Sequence, residues 1–310
     1  MAAVGDNNFM RYVYRGEVGE WIPDEATHIT VAEDCTFVRA RAFRVPRALG
    51  HENIVEIICH DGVTTIEEWA FFQCHSVRRV IMPGVRVAEG MSFQWCNALR
   101  DVECGKLEII GGCAFVHCDS LESINLPAAR IVEGFAFCEC KVLTELKFGN
   151  KLERLEERAF VGCRSLERIT LPLKDGLITD DIFQACEKLR RVDLVEGEVH
   201  ETIAALHLEE WKNEVSEEID LINQILPNTP AGDYDEDDEE EDGDPGEKAR
   251  TIRRWIRSVL QKIIHYQAEH ERILDEAATT IQLLLPRDIV SNYVLPFLEL
   301  PSHTFEVEEE

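Results

Sequence analysis

The sequence has no long apolar run. None of its hydrophobic stretches reaches the ~18 residues that a membrane-spanning helix requires, and no membrane insertion is expected. It has no Asn-x-Ser/Thr sequon, and its first eight residues show no basic region followed by an apolar one. Both absences predict a cytoplasmic or nuclear protein. There is no GxGxxG, phosphate loop, HExxH or GxSxG, so nucleotide binding, zinc peptidase chemistry and nucleophile-elbow hydrolysis have no motif to rest on. A non-enzymatic chain without a cofactor is the expectation. Basic residues are scarce: 32 Lys and Arg stand against 60 Asp and Glu, a net charge of −28. Such a charge disfavours nucleic acid and anionic membranes and favours a basic protein partner. The imbalance is local, since residues 1–197 hold 31 acidic and 23 basic side chains whereas 198–310 hold 29 and 9.

Cysteine, by contrast, is present in number: eleven residues, yet without a single CxxC pair. Six of them, Cys74, Cys96, Cys118, Cys140, Cys163 and Cys186, recur every 22 or 23 residues, and each follows a phenylalanine by three: Phe71, Phe93, Phe115, Phe137, Phe160 and Phe183. A fixed period of this length is the mark of a solenoid whose units bury their apolar faces against one another. Aliphatic positions lie three and six residues after each cysteine, as in Leu121 and Ile124, and a third apolar position lies eight after it, as in Leu126. The spacing of two between the last pair predicts a short strand with one face inward. Another apolar position, eight residues before the cysteine, comprises Ile66, Ala88, Ile110, Val132, Leu155 and Ile178. Each rung therefore reads as one short strand, a turn, and a compact helical or irregular return carrying the Phe and Cys. Stacked at ~4.8 Å with parallel side-chain directions, the cysteines are poorly placed for disulfides and read as small buried hydrophobes in a reducing compartment.

The segments Ala70-Phe71-Phe72-Gln73-Cys74, Ala114-Phe115-Val116-His117-Cys118 and Ala159-Phe160-Val161-Gly162-Cys163, each continuing to a Ser-Leu or Ser-Val pair, resemble the AFxxCxxLxxIxLP unit of the BspA-type leucine-rich repeat family. The layout, tail included, is similar to the large sets of such proteins encoded by unicellular algae. The resemblance implies a leucine-rich-repeat solenoid with a parallel β-sheet, and repeats that bind proteins or surface ligands without shared catalytic residues. It covers residues 37–197, a degenerate first repeat followed by six good ones. Phe43 opens the degenerate repeat, with Pro46 at the cysteine position. Residues 1–36, including Trp21, Ile22 and Pro23, are expected to cap the open edge.

After Gly197 the period becomes helical. Leu208, Trp211, Val215, Ile219, Ile222 and Leu226 predict one amphipathic helix over 198–232, ending at Pro227. Residues 248–310 predict a long helix, a short one and an acidic tail. The two main helices should pair as a C-terminal α-helical hairpin cap over the last rung. Between them, residues 233–247 form an acidic segment with eight consecutive carboxylates at 235–242, read as disordered. An EF-hand reading of this run fails, because Asp238 stands where glycine is needed and Asp244 replaces the bidentate glutamate. The basic cluster Lys248, Arg250, Arg253, Arg254 and Arg257 follows directly and could be masked by the run.

The chemistry-bearing residues are then those of the outward strand face, five and seven positions after each cysteine: Arg79 and Ile81, Asp101 and Glu103, Ser123 and Asn125, Glu145 and Lys147, Arg168 and Thr170, Arg191 and Asp193. The row is polar, of mixed sign, and without aromatic platforms for sugars or bases. A scaffold binding an unidentified protein through this face is the leading expectation, and a structural or cell-surface adhesion module the second. His75 and His117 flank ladder cysteines but read as solvated variable positions and not as members of a Cys-His couple. The oligomeric state is not legible in the sequence.

Overall fold

The computed structural model describes residues 9–43, 51–206, 208–231 and 246–282, together with 285, 289, 290, 292, 294, 303 and 305. Pro46, the acidic run and most of the chain after residue 282 lie outside the described residues.

Among the described residues, fifteen short strands come first. They are β1 (Arg11–Tyr14), β2 (His28–Val31), β3 (Phe37–Val38), β4 (Glu56–Ile58), β5 (Thr65–Ile66), β6 (Arg79–Ile81), β7 (Val87–Ala88) and β8 (Asp101–Glu103). There follow β9 (Ile109–Ile110), β10 (Ser123–Leu126), β11 (Ile131–Val132), β12 (Glu145–Phe148), β13 (Arg154–Leu155), β14 (Arg168–Leu171) and β15 (Arg191–Leu194). All pairings are parallel, as one coil repeated along an axis requires. The front sheet runs β1-β2-β4-β6-β8 and resumes as β10-β12-β14-β15; a second sheet runs β3-β5-β7-β9-β11-β13.

That second sheet corrects the expectation of one strand per rung. Its two-residue strands carry the apolar position eight residues before the cysteine, and segments so short show no alternation in sequence that separates them from a turn. The return that carries the Phe and Cys contains no helix; it is a run of tight turns. Most of these turns place two residues in the left-handed region, five and one before the cysteine, as at Cys113 (φ 58°) and His117 (φ 56°) or Met91 (φ 56°) and Trp95 (φ 64°). Among the described residues, the one glycine used this way in the repeats' returns is Gly162 (φ 73°). Left-handed backbone at a side chain with a Cβ costs roughly 1 kcal/mol. It persists because the turn N–H groups bond to the next rung: Trp95 N to the Val116 carbonyl at 2.8 Å and Phe93 N to the Ala114 carbonyl at 2.8 Å.

Inside the turns the six phenylalanines form one column, joined by Phe43. Successive ring centroids are 4.5–5.9 Å apart with interplanar angles of 2–25°, from Phe43–Phe71 through Phe160–Phe183. Each of these rings is fully buried. Tyr14 continues the column at 5.3 Å from Phe43, so the stack reaches the first strand, upstream of the expected repeat boundary. The expected N-terminal cap is thus built differently. β1 and β2 extend the front sheet itself, Ile22 is buried, and Trp21 stays 64 % exposed.

The ladder cysteines do more than fill space. Five of the six thiols donate to the carbonyl of the phenylalanine one rung back: Cys96 to Phe71 (3.2 Å), Cys118 to Phe93 (3.4 Å), Cys140 to Phe115 (3.1 Å), Cys163 to Phe137 (3.1 Å) and Cys186 to Phe160 (3.2 Å). Burial pushes the Cys74 and Cys186 thiols up to about 12 and those of Cys96, Cys118 and Cys163 well above their ordinary value. Among the described residues, which include all eleven cysteines, none is in a disulfide.

The C-terminal helices close the stack. The single helix expected over 198–232 is broken into α1 (Glu198–Ala205) and α2 (Glu209–Ile225), because Leu206 turns extended and buries itself between them; a 3-10 turn at Leu226–Asn228 carries the chain through Pro227. The long α3 (Glu247–Gln282) packs Ile252, Ile256, Val259 and Ile263 in the core that also holds Val215, Ile222 and Leu226. Trp211 stacks on Tyr266 at 5.2 Å and the Trp255 indole donates to the Glu218 carbonyl at 2.9 Å, so the two helices run antiparallel.

This hairpin supplies what a further rung would have supplied. The Asn223 side-chain oxygen accepts from the Val192 backbone N–H at 3.1 Å, standing in for the next strand. Lys248, 2 % exposed, donates to the carbonyls of Cys186, Glu187 and Leu189 at 3.1, 3.2 and 2.7 Å. Arg257 clasps Asp175 at 3.0 and 3.1 Å, and Arg253 pairs with Asp180. Burial holds the Lys248 ammonium below its ordinary range.

Two outcomes are expected. Lys248→Met keeps the stem but orphans three carbonyls, and should lower stability by about 2–3 kcal/mol in chemical denaturation; a loss under about 0.5 kcal/mol would show that the ammonium does not pin the cap. Under native conditions an aromatic disulfide reagent should modify half-buried Cys113 and Cys138 first and the six ladder thiols only as the chain unfolds. A ladder thiol reacting as fast as Cys113 would contradict the burial described.

Candidate protein-binding face

The pleat of the front sheet decides which side chains are available. In β10 the pattern alternates strictly, with Ser123 and Asn125 exposed and Ile124 and Leu126 buried. Register carries that alternation from rung to rung: Glu56 neighbours Arg79, Arg79 neighbours Asp101, Ser123 neighbours Glu145, Glu145 neighbours Arg168, and Arg168 neighbours Arg191. A parallel column two residues on runs through Ile81 and Glu103, and through Asn125, Lys147, Thr170 and Asp193. All twelve expected face residues therefore stand on the outward side, with Ile81, Glu145, Arg168, Thr170 and Asp193 half-buried among their neighbours.

Most charges of the face are paired, across rungs or within one strand. Arg79 reaches Glu56 at 3.6 Å, Asp101 at 3.0 Å and Glu103 at 2.5 Å. Arg168 reaches Glu145 at 3.7 Å and pairs with Asp193, which also takes Arg191 at 3.0 Å; Lys147 lies 3.0 Å from Glu145. Exposed pairs of this kind contribute at most about 1 kcal/mol each. Their larger effect is to hold long side chains in one arrangement.

The face is not the single row expected from the sequence. No ladder pairing joins β8 to β10 among the described residues, and the inward Val102, whose equivalents are buried in every other front strand from β2 onward, is half-buried at this seam. On one side lies Arg79 with three carboxylates; on the other, Arg168, Arg191 and Lys147 meet Glu145 and Asp193. Ser123 and Asn125 separate them without charge. The face is thus bipolar, acidic toward the N-terminal rungs and slightly basic toward the C-terminal ones. Sequence reasoning missed that Glu56 and His28, 3.9 Å apart, extend it toward the N-terminus, although the alternation His28-Ile29-Thr30-Val31 carries the signal.

The expected dismissal of a Cys-His couple can be replaced by contacts. The exposed His75 follows its cysteine and shares a 2.6 Å hydrogen bond with the half-buried Asn97, which donates onward to Asp119 at 2.7 Å. His117 precedes its cysteine and stacks on Trp95 with centroids 3.9 Å apart. The thiol beside His117, that of Cys118, points to the Phe93 carbonyl instead. No group of three or more metal-ligating side chains occurs among the described residues, and none of their helices is long and apolar enough to cross a membrane.

A comparison with curated protein sequences gives no match. Among solved structures, a leucine-rich repeat protein from T. pallidum is 20% identical with a TM-score of 0.41, covering 61% of this chain and 76% of its own. One from Bacteroides ovatus is 24% identical with a TM-score of 0.39, covering 52% of this chain and only 37% of its own. The model of the BspA type leucine rich repeat region matches six copies, over residues 24–132 and 108–207. Those matches span more than half of the sequence, and the chain belongs to the BspA-type leucine-rich repeat family.

Proposed function

We propose that the chain is a non-enzymatic scaffold that binds a protein through the front-sheet face. The observation that carries this reading is the cross-rung pairing of the outward charges. Arg79 and Arg168 are each held by carboxylates of two or more rungs, so the face meets a partner with little side-chain entropy left to lose. Complementary charge sets specificity and association rate more than raw affinity. The partner that fits presents basic groups to Glu56, Asp101 and Glu103. The chain would work in a reducing compartment, cytoplasm or nucleus, which suits eleven cysteines without a disulfide among them.

The expected test pairs two double variants of the full chain. Asp101→Lys with Glu103→Lys inverts the acidic half of the front face. Arg86→Glu with Glu108→Lys swaps a 3.1 Å ion pair that lies off that face, beside β7 and β9. Proteins captured from a cell extract by the wild type are identified, and their affinities for each variant measured. The front variant should lose at least tenfold, about 1.4 kcal/mol, and the other should lose nothing. Equal losses, or a loss confined to the Arg86/Glu108 variant, would reject the face as the binding site.

A further inference from the structure

The outward face of the N-terminal rungs carries an apolar column beside its charges. Register aligns Val13 with Thr30, Thr30 with Ile58 and Ile58 with Ile81, and Glu103 ends the line. All four stand on the solvent side of the pleat, because Tyr14, Val31, Ile57 and Val80 next to them in their strands are buried. Val13 is 48% exposed, Thr30 is exposed, and Ile58 and Ile81 are half-buried. Phe9, 60% exposed, sets its ring edge-on to His28 at 5.0 Å and widens the strip at its N-terminal end. In the C-terminal rungs the same column reads Asn125, Lys147, Thr170 and Asp193, so the apolar character belongs to one half of the face. An apolar line on the solvated side of a sheet, rimmed by charge, marks a contact surface.

Spacing and charge select what fits there. Neighbouring strands lie ~4.8 Å apart, so the four rungs from Val13 to Ile81 span ~14 Å. Residues i, i+4, i+7 and i+11 of an α-helix span ~16 Å along one face. Four alternate residues of an extended segment span ~20 Å and fall out of step with the rungs. The adjoining charged column runs Arg11, His28, Glu56, Arg79 and Asp101. At its far end three carboxylates, Glu56, Asp101 and Glu103, meet the single guanidinium of Arg79, and the Asp101 and Glu103 side chains remain 57% and 52% exposed. That end calls for cations. Helix α2 of a second copy, with six carboxylates and one lysine, has the wrong sign.

We propose that this column seats an amphipathic helix of the partner protein, laid along the solenoid axis. Its apolar residues at i, i+4, i+7 and i+11 lie over Val13, Thr30, Ile58 and Ile81, and its lysines or arginines lie over Asp101 and Glu103. The inference rests on the front face being the binding surface and adds the form and chemistry of what binds.

Two synthetic peptides of identical leucine and lysine content test it. One is stapled as a helix with leucines at i, i+4, i+7 and i+11; the other places its leucines at alternate positions. Equal composition holds the attraction to the chain's net charge constant. Titrated into the full chain at physiological ionic strength, the helix should bind at least tenfold more tightly than the alternating peptide, about 1.4 kcal/mol. Val13→Thr with Ile58→Thr and Ile81→Thr should remove that preference, and Asn125→Ala with Thr170→Ala should leave it. Equal binding of the two peptides, or a preference that survives the threonines, would overturn the proposal. So would a wild-type dimer that the threonine variant dissolves, which would give the column to a second copy. A readout free of substitutions comes from a benzophenone at the third leucine of the helical peptide, which should cross-link to β4 or β6 of the wild type. A cross-link confined to α2 or α3 would equally reject the seat. The charge variant separates this inference from the reading beneath it. A captured partner weakened by Asp101→Lys with Glu103→Lys but not by the threonines would keep the face and reject the helix seat, whereas one weakened by neither would reject the face itself.

Discussion

Every rung of this molecule is completed by the next one, and the rest of the structure follows from that dependence. A single turn of chain cannot bury a phenylalanine, a ladder cysteine and two strand faces by itself. Stacked, the same turn places Phe115 at 5.2 Å from both Phe93 and Phe137, gives its N–H to the Ala136 carbonyl and its carbonyl to the Cys140 thiol. Removing any one of these contacts removes something from two rungs. The left-handed residues of the returns, unfavourable in isolation, are held by the same inter-rung bonds.

A structure built by neighbours has a problem at its ends, and the two ends differ. At the C-terminus Asn223 and Lys248 satisfy the backbone groups of the last rung, while α2 and α3 cover its apolar side. A buried ammonium shared by three carbonyls of the turn before β15 explains why the start of α3 cannot be displaced without exposing polar backbone. At the N-terminus the stack tapers through Tyr14, whose ring extends the phenylalanine column and whose hydroxyl accepts from the Arg39 N–H at 3.1 Å. β1 remains the edge strand there, flanked by Arg11 and Arg15, charges that discourage further strand addition.

The solenoid, the phenylalanine column, the outward row and the helical cap were legible because each rests on a period. Residues such as Ile124 and Leu126 announce their burial by spacing alone. What escaped has no such signature. Two-residue strands such as Thr65–Ile66 are too short to alternate, left-handed positions are occupied by Met91, Trp95, Cys113 and His117 where glycine would have signalled them, and the donor role of the thiols depends on carbonyls one rung away. Lys248 was legible only as part of a basic cluster. Its burial follows from the docking of α3, which no local pattern encodes. The division of the front face at Ser123 and Asn125 likewise depends on the pairing that lapses between β8 and β10.

For function, the consequence is a rigid, charge-paired surface whose geometry is set by the core beneath it, and that core is the claim on which the account stands. Residue-resolved hydrogen exchange on the full-length Phe115→Ala chain tests it most directly. Deleting the ring should cost ~3–5 kcal/mol, and the loss of protection should spread to the amides of Phe93, Trp95, Phe137 and Ile124, whose rungs lean on it. Protection lost only within residues 113–118, with the adjoining rungs unchanged, would contradict a structure in which every rung is completed by its neighbour.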